Sequence, residues 1–375
     1  MMSIGGSIAQ SLASESDAAL TPGGATSSPQ AIIGDMSMRF SRRLALAAAA
    51  GQLAVAGSAA IADVRELTLS ASPAMRLLVV APHPDDEALG SAGLIQRVRS
   101  AGGQVRVVLV TSGDAFPEGL EAETHIANPR PRDYRSYGAL RERETLAAMQ
   151  RLGIDGERVR FLGFPDGGIC LIASSYLSPN ARAFVSPYTG REEPPAREQI
   201  IRGARYRGVD IRRELERILI EYRPTLVTLP HPEDLHPDHC STYIFAREAL
   251  DAAAALDRAL APRVLHYLVH TDGWPPDASA AADTALEPPP DFPPREGEWR
   301  TLKLSDAEAA GKRRALDAYA SQALVMSRFL RAFGRTNELF LEGRPASLPE
   351  CWCDATSVAT EVPPERYRRR PGPRR

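Results

Sequence analysis

Four side chains that could do chemistry are crowded into five positions: His83, Asp85, Asp86 and Glu87. They follow the short apolar run 77–80, which is typical of a buried parallel strand, and open α/β sheets bind ligands at the carboxyl ends of such strands. The His83 nitrogen and the Asp86 oxygen suit a divalent metal such as zinc, and the adjacent Asp85 suits a general base. The alternative is a solvated acidic start of a helix, because Asp and Glu favour first turns.

A second polar cluster follows the apolar run 225–229, which predicts another strand. Residues 230–239 contain three histidines and three acids, namely His231, Glu233, Asp234, His236, Asp238 and His239. His236 and His239 are three positions apart, so both can face one side of the helical turn that starts there. Asp234 is expected to orient a ligand histidine, and His231 is expected to lie behind the ligands or in solvent. The two clusters together predict a metal centre.

Two motifs resemble the signature of the PIG-L/LmbE-like N-acetylglucosaminyl deacetylase family. They are Pro82-His83-Pro84-Asp85-Asp86-Glu87 and His236-Pro237-Asp238-His239. The resemblance implies a zinc hydrolase on a Rossmann-like sheet that removes acetyl groups from amino sugars or their conjugates.

The resemblance also implies a role for each residue of these motifs. The implied metal ligands are His83, Asp86 and His239, a set of three that leaves a coordination position open, as in catalytic zinc sites. Asp85 is implied as the base that acts on the attacking water, and His236 as the free, acid-type histidine that supports the oxyanion if it is protonated.

Three further segments are similar to the family pattern. They are Arg141-x-x-Glu144, Phe164-Pro165-Asp166-Gly167 and Tyr319-Ala320-Ser321-Gln322. Arg141 and Asp166 are the predicted substrate-binding residues. For Asp166 two roles stay open, since its carboxylate could accept hydrogen bonds from sugar hydroxyls or could shape the turn.

The order of apolar runs and helical patterns predicts an α/β fold. Strand, helix and strand over about 35 residues, 77–111, form a βαβ unit, and further strands are predicted near 159–162, 225–229 and 263–269, with an edge strand near 299–304. We expect a Rossmann-like, mostly parallel sheet of five or six strands flanked by helices. Two long loops, 114–137 and 169–208, are expected over its carboxyl edge. No G-x-G-x-x-G follows the first strand, so the glycines of dinucleotide binding are missing.

Composition restricts the class of protein. The 375 residues are 43% hydrophobic with a net charge of −2, so no global basic field indicates nucleic acid as a partner. Four cysteines are too few for a disulfide scaffold. Cys170 and Cys240 are expected to be free and buried.

The amino end has the features of an export signal. Residues 1–37 are expected to be a disordered or untranslated leader, and 38–62 a signal peptide, with Arg42-Arg43 hinting at the twin-arginine route. The alternative is an amino-terminal membrane anchor. The deacetylase domain is expected over 63–345 and a polar, Arg-rich, disordered tail over 346–375.

These observations predict a hydrolase that removes an N-acetyl group from an amino sugar or its conjugate and releases acetate and a free amine. The expected cofactor is Zn²⁺, with Fe²⁺ or Co²⁺ as alternatives, and the expected partner is the N-acetylated sugar. Two other functions stay open: hydrolysis of another N-acyl amide at the same metal site, and binding of carbohydrate without catalysis. The enzyme is expected to be periplasmic or extracellular, without a stable membrane span after cleavage, or cytoplasmic if the leader is not used.

The leader yields the first testable prediction. Because Ala60-Ile61-Ala62 fits a small-residue cleavage site after an uncharged Ala-rich run, the exported protein should begin at or near Asp63. Amino-terminal sequencing of exported material checks this, and a mature chain that still begins at Met38 would favour the anchor.

Overall fold

One sheet organises the part of the chain that the computed structural model describes, residues 64–276, 283–290, 298–343 and Cys351. Its strands are β1 (Arg65–Glu66), β2 (Arg76–Ala81), β3 (Gln104–Thr111), β4 (Val159–Phe164), β5 (Leu226–Pro230), β6 (Arg263–Tyr267), β7 (Glu298–Lys303) and β8 (Asn337–Glu342). The predicted leader and signal peptide, and almost all of the predicted tail, lie outside the described residues.

Eight helices accompany the sheet in these residues. They are α1 (Asp86–Ser100), α2 (Pro117–Thr124), α3 (Pro131–Arg151), α4 (Ile169–Ser175), α5 (Gly208–Tyr222), α6 (Pro237–Leu256), α7 (Asp306–Leu316) and α8 (Ala320–Ala332), with one 3₁₀ turn at Gly156–Arg158.

The strand order is β1-β7-β8-β6-β5-β2-β3-β4. Strands β2 to β6 pair in parallel, and β8 is antiparallel to both β6 and β7. The predicted Rossmann-like, mostly parallel α/β fold is confirmed. The predicted five or six strands are too few. The strand β7 takes the place of the edge strand expected near 299–304, and β1 and β8 bring the described sheet to eight strands.

The apolar residues of β2 explain why helices cover both faces of the sheet. Successive side chains of a strand point to opposite faces, and here Leu77 and Val79 join one hydrophobic cluster while Leu78 and Val80 join the other. The first cluster includes buried residues of α1, α3, α7 and α8, and the second includes those of α4, α5 and α6. A strand that is buried on both sides must read as the unbroken apolar run seen in the sequence.

The pairing of β2 with β5 places the two polar loops side by side. Leu77 pairs with Leu226 and Val79 with Thr228 in parallel register. The carboxyl ends of both strands therefore lie at the same edge, and the loops that leave them, 82–85 and 231–236, meet there.

The two predicted long loops over this edge, 114–137 and 169–208, contain more helix than expected. The first, which was predicted as a loop over 114–137, holds α2 and the beginning of α3 at Pro131. Proline suits the first helical position, and the Asp133 side chain accepts the Arg130 backbone N–H at 2.8 Å, so the helix starts well before its amphipathic part. The second predicted loop begins with α4 and is irregular from there to α5.

The cysteines correct a prediction. Cys240, in the first turn of α6, forms a disulfide with Cys351, with Cα atoms 5.6 Å apart. Cys170, in α4, is disulfide-bonded as well, so neither Cys170 nor Cys240 is the free, buried cysteine that was expected. Cys351 belongs to the predicted tail, and its bond ties that part of the tail to the helix that carries the histidine motif.

Apolar helices of membrane-spanning length are not found among the residues that the structure describes.

The second prediction concerns this disulfide, whose cysteines are 111 positions apart in sequence. Because a bond that closes a long loop restricts the unfolded chain, replacing Cys240 and Cys351 together by Ala should lower the free energy of unfolding by about 2–4 kcal/mol. Denaturant unfolding of the exported protein measures the loss. A double variant within about 0.5 kcal/mol of the wild type would contradict it.

Candidate active site

The Asp86 carboxylate is the point at which the two polar loops meet. Its Oδ2 atom lies 3.2 Å from His83 Nδ1 and 3.0 Å from His239 Nε2, and it accepts the His83 backbone N–H at 3.0 Å. Asp86 is the first residue of α1, and His239 lies in the first turn of α6. All three residues are buried. The structure thus brings the three predicted metal ligands together around one carboxylate oxygen.

The surroundings of His239 fit a bound cation. Both of its ring nitrogens are buried and face carboxylates, yet neither makes a hydrogen bond within the described residues. Two ligand atoms that bind one tetrahedral zinc ion at about 2.1 Å lie about 3.4 Å apart, which is close to the spacing around Asp86 Oδ2. His83, Asp86 and His239 therefore fit a divalent metal.

The electrostatics of the cluster point in the same direction. Burial alone would lower the pKa of His83, but hydrogen bonds with three carboxylates hold that pKa well above its usual value. Burial also opposes charge on His239, but Asp234 and Asp86 raise its pKa to about 9. Burial would raise the pKa of Asp86, and the charges of His239 and His83 bring it below its usual range. The site therefore stabilises positive charge between its imidazoles, as a cation site must.

Carboxylates stand behind both ligand histidines. Asp166 Oδ1 lies 3.2 Å and Asp238 Oδ2 3.4 Å from His83 Nε2, and Asp234 Oδ2 lies 3.2 Å from His239 Nδ1. Such carboxylates fix the orientation and tautomer of a metal-ligating imidazole. Asp234 thus lies next to His239, and its role in orienting a metal ligand stays a prediction.

Asp238 belongs to this group and was missed. It is the third residue of His-Pro-Asp-His, and its oxygens accept the backbone N–H groups of Gly167 at 2.7 Å and Ile169 at 3.0 Å. These bonds join the start of α6 to the Phe-Pro-Asp-Gly turn. The only sequence signal was the position of Asp238 between two histidines of the motif.

Asp85 has a strained backbone. Its φ is +117° at the N-cap of α1. L residues rarely adopt this backbone region, and those that do are often found at functional sites. Its backbone N–H donates to Glu87 Oε2 at 3.1 Å, and its Oδ2 lies 3.9 Å from Arg141 Nη2. The guanidinium and the carboxylate form a buried ion pair.

Arg141 supports the loop that carries Asp85. The residue is fully buried, and its guanidinium donates to the carbonyls of Gly113 and Pro84, each at 2.9 Å, and to the Gln322 side chain. These contacts give Arg141 a positioning task that the sequence did not suggest. Its direct contact with substrate stays a prediction.

The Asp166 carboxylate also contacts other groups of the protein. Besides its contact with His83, its Oδ2 accepts the Ala115 backbone N–H at 2.6 Å. The two roles considered from the sequence were contact with sugar hydroxyls and support of its turn. The structure adds a third, which is to orient His83. A contact with sugar stays a prediction.

His236 lies beside the ligands, with its ring centroid 4.6 Å from that of His83 and 5.2 Å from that of His239. Its Nδ1 accepts the Asp238 backbone N–H at 3.1 Å. Burial and the charges of neighbouring histidines hold its pKa well below the usual value. Because Nδ1 accepts a hydrogen bond, a proton on the neutral ring lies on Nε2. The role of His236 as an acid stays a prediction.

His231, the remaining histidine of the second cluster, turns away from this group. Its Nδ1 accepts the Glu233 backbone N–H at 3.1 Å, and its ring faces that of His266. Burial and the charge of His266 lower its pKa to about 3. His231 is buried, so the solvated alternative is wrong.

Two further residues near the site carried no motif. His270 follows β6, and its Nδ1 lies 3.0 Å from Asp234 Oδ1. Asp114 follows β3, and burial together with the charge of Asp166 raises its pKa to about 8. A carboxyl that stays protonated at neutral pH can donate as well as accept a hydrogen bond, so Asp114 could bind a hydroxyl group.

Comparison with known proteins agrees with these observations. Residues 78–250 match the family described as PIG-L: GlcNAc-PI de-N-acetylase. The 1D-myo-inositol 2-acetamido-2-deoxy-alpha-D-glucopyranoside deacetylase of Streptomyces griseus is 28% identical over 302 residues, which cover 75% of this chain and 83% of that protein. The deacetylase of the same name from Mycolicibacterium smegmatis is 26% identical over 299 residues, with coverages of 73% and 88%.

Solved structures with a similar chain include the N,N'-diacetylchitobiose deacetylase of Pyrococcus horikoshii. It aligns at 19% identity with a TM-score of 0.43 and covers 71% of this chain and 83% of that one.

Both signature motifs, and with them all the residues that meet around Asp86, lie inside the matched range 78–250. The resemblance inferred from the motifs is confirmed by the match of residues 78–250 to the PIG-L family model.

Proposed function

We propose that this protein is a metal-dependent N-deacetylase that hydrolyses the acetamide of an amino sugar or of its conjugate. The observation that carries the proposal is the convergence of His83 Nδ1 and His239 Nε2 on one oxygen of Asp86. We assign the metal to these three residues. Zinc is the metal that best suits two imidazoles and one carboxylate, with Fe²⁺ or Co²⁺ as alternatives.

The chemistry follows from the placement of the remaining side chains. When bound, the metal would polarise the acetyl carbonyl and lower the pKa of the attacking water. Asp85 accepts a proton from that water as its oxygen bonds to the acetyl carbon. The neutral His236 donates a hydrogen bond from Nε2 to the oxygen that becomes negatively charged.

Cleavage returns the same proton. As the carbon–nitrogen bond breaks, the proton held by Asp85 passes to the leaving nitrogen, and acetate and a free amine result. We assign this proton to Asp85 and not to His236, since a neutral imidazole that lost a proton would become an anion. Asp85 therefore acts first as base and then as acid, and His236 acts as a donor whose charge does not change.

The proposed substrate class rests on the relatives and on the polar groups beside the site. The Streptomyces and Mycolicibacterium proteins are deacetylases of an acetamido-deoxy-glucopyranoside. Asp166 lies 3.2 Å from His83 Nε2, and Asp114 is close enough to Asp166 for that charge to raise its pKa. The carboxyl groups of both residues suit the hydroxyls of a sugar. We therefore propose an N-acetylglucosaminyl compound as the substrate.

We also propose that the protein acts outside the cytoplasm. The signal-like segment 38–62 motivates this, and the Cys240–Cys351 disulfide supports it, because disulfides persist in oxidising compartments and are rare in the cytosol.

The third prediction tests the ligand assignment. Replacing His83, Asp86 or His239 by Ala should lower metal affinity in each case, since each change removes one of three protein ligands. Competition with a chelator, followed by metal analysis, measures the loss. His231→Ala is the matched control, because this histidine comes from the same loop but turns away from the site. Equal metal retention in all four variants would show that the ligands lie elsewhere.

The fourth prediction separates Asp85 from its metal-binding neighbour. Asp85→Asn keeps the shape of the side chain but removes its basicity, so turnover should fall about 10²–10⁴-fold, with metal content and KM little changed. Acetate and amine release from N-acetylglucosaminyl compounds, with other N-acyl amides for comparison, gives the rates.

The same preparation of Asp85→Asn should be used for metal content and for kinetics. Loss of metal would make Asp85 a ligand, and full metal with wild-type turnover would remove it from the mechanism. Sugar binding by the wild type without any release of acetate would instead support a carbohydrate-binding protein.

A further inference from the structure

The carboxylate of Asp234 is completely engaged. Its Oδ2 accepts the backbone N–H groups of Val269 at 2.9 Å and His270 at 3.1 Å and lies 3.2 Å from His239 Nδ1. Its Oδ1 accepts the His236 backbone N–H and lies at the same distance, 3.0 Å, from the Nδ1 atom of His270. Asp234 thus contacts His239 on one oxygen and the His270 ring on the other.

His270 is held from several sides. Its ring stacks on Phe329 of α8 with a centroid distance of 5.8 Å and an interplanar angle of 17°. The same ring lies 4.5 Å from the His239 ring and nearly perpendicular to it. Its backbone carbonyl accepts the Leu235 N–H at 2.9 Å. The loop after β6 is therefore fastened to the histidine loop after β5 by side chain and backbone together.

A second metal ion among Asp234, His239 and His270 is the competing interpretation, because one ligand atom from each lies within 4.8 Å of the others. The hydrogen bonds argue against it. A carboxylate offers about four lone-pair sites, and three backbone N–H groups already donate to Asp234, so little of the carboxylate is left to bind an ion. The carboxylate is placed to orient imidazoles and not to bind an ion of its own.

We propose that His270 is a positioning residue for the metal centre. Its Nδ1–H holds Asp234 Oδ1, and this fixes the other oxygen, Oδ2, against the ring of His239. The ring of His239 then keeps Nε2 directed at Asp86. The inference rests on the proposed role of His239 as a metal ligand, and it extends the site to a strand, β6, from which neither signature motif comes.

The test replaces His270 by Asn or by Gln, whose side-chain amides place a hydrogen-bond donor at different positions. The side-chain nitrogen of Asn can take the place of His Nδ1, whereas that of Gln lies nearer to the place of Nε2. His270→Asn should therefore retain metal affinity close to that of the wild type. His270→Gln and His270→Ala should lose about 10–100-fold, the effect typical of removing a group that orients a ligand.

The matched control is His266→Gln. His266 is a buried histidine of β6 whose Nδ1 contacts the Leu341 carbonyl and not Asp234. This variant should keep wild-type metal affinity, and thermal unfolding of the metal-free forms of all variants shows whether each is folded. The His270→Gln variant that is fully loaded with metal should have a lower kcat and an unchanged KM, because the proposed role of the ring involves no contact with substrate.

Three outcomes would overturn the inference. Metal affinity of folded His270→Gln equal to that of the wild type would remove the positioning role. Rescue by Gln and not by Asn would assign the function to Nε2 and to direct contact with substrate. A His239→Ala variant that binds metal as tightly as the wild type would overturn the proposed metal site as well. This result separates failure of the proposed function from failure of the inference about His270 alone.

Discussion

Parallel pairing of β2 with β5 is the constraint on which the site depends. Residues 77–80 and 225–229 have little in common except that both form apolar strands, yet their register brings the two carboxyl ends together. A loop follows each strand and leads into a helix, α1 after β2 and α6 after β5. The parallel pairing thus brings His83 and His239, from two separate loops, to the same oxygen of Asp86.

Such a concentration of buried charge requires compensation. A carboxylate removed from water without a partner is strongly destabilising, and Asp86, Asp166, Asp234 and Asp238 are all buried within this cluster. Backbone N–H groups satisfy part of their charge, and the imidazoles between them satisfy more. A divalent cation bound by Asp86 would complete this balance, which is why the arrangement is better explained by a metal centre than by structural ion pairs.

The two signature motifs predicted the part of the site that is local in sequence. His83, Asp86 and His239 were recognised because each lies in a dense polar cluster directly after an apolar strand. His270 was missed because it is a lone histidine after β6, and its partner Asp234 is 36 positions away. The disulfide of Cys240 was missed for a similar reason, since cysteine spacing does not reveal which residues pair across a fold.

The fold also has a part that the sequence predicts and a part that it does not. The parallel core was predictable because a strand buried on both faces is apolar throughout, whereas the antiparallel edge of β7 and β8 depends on contacts between segments with weaker patterns. The proposed metal centre requires one metal ion where those core strands end. Anomalous diffraction from crystals of metal-loaded protein, measured at the absorption edge of the bound metal, locates that ion. We expect one principal peak in contact with His83, Asp86 and His239, and a principal peak at any other set of ligands would overturn the assignment.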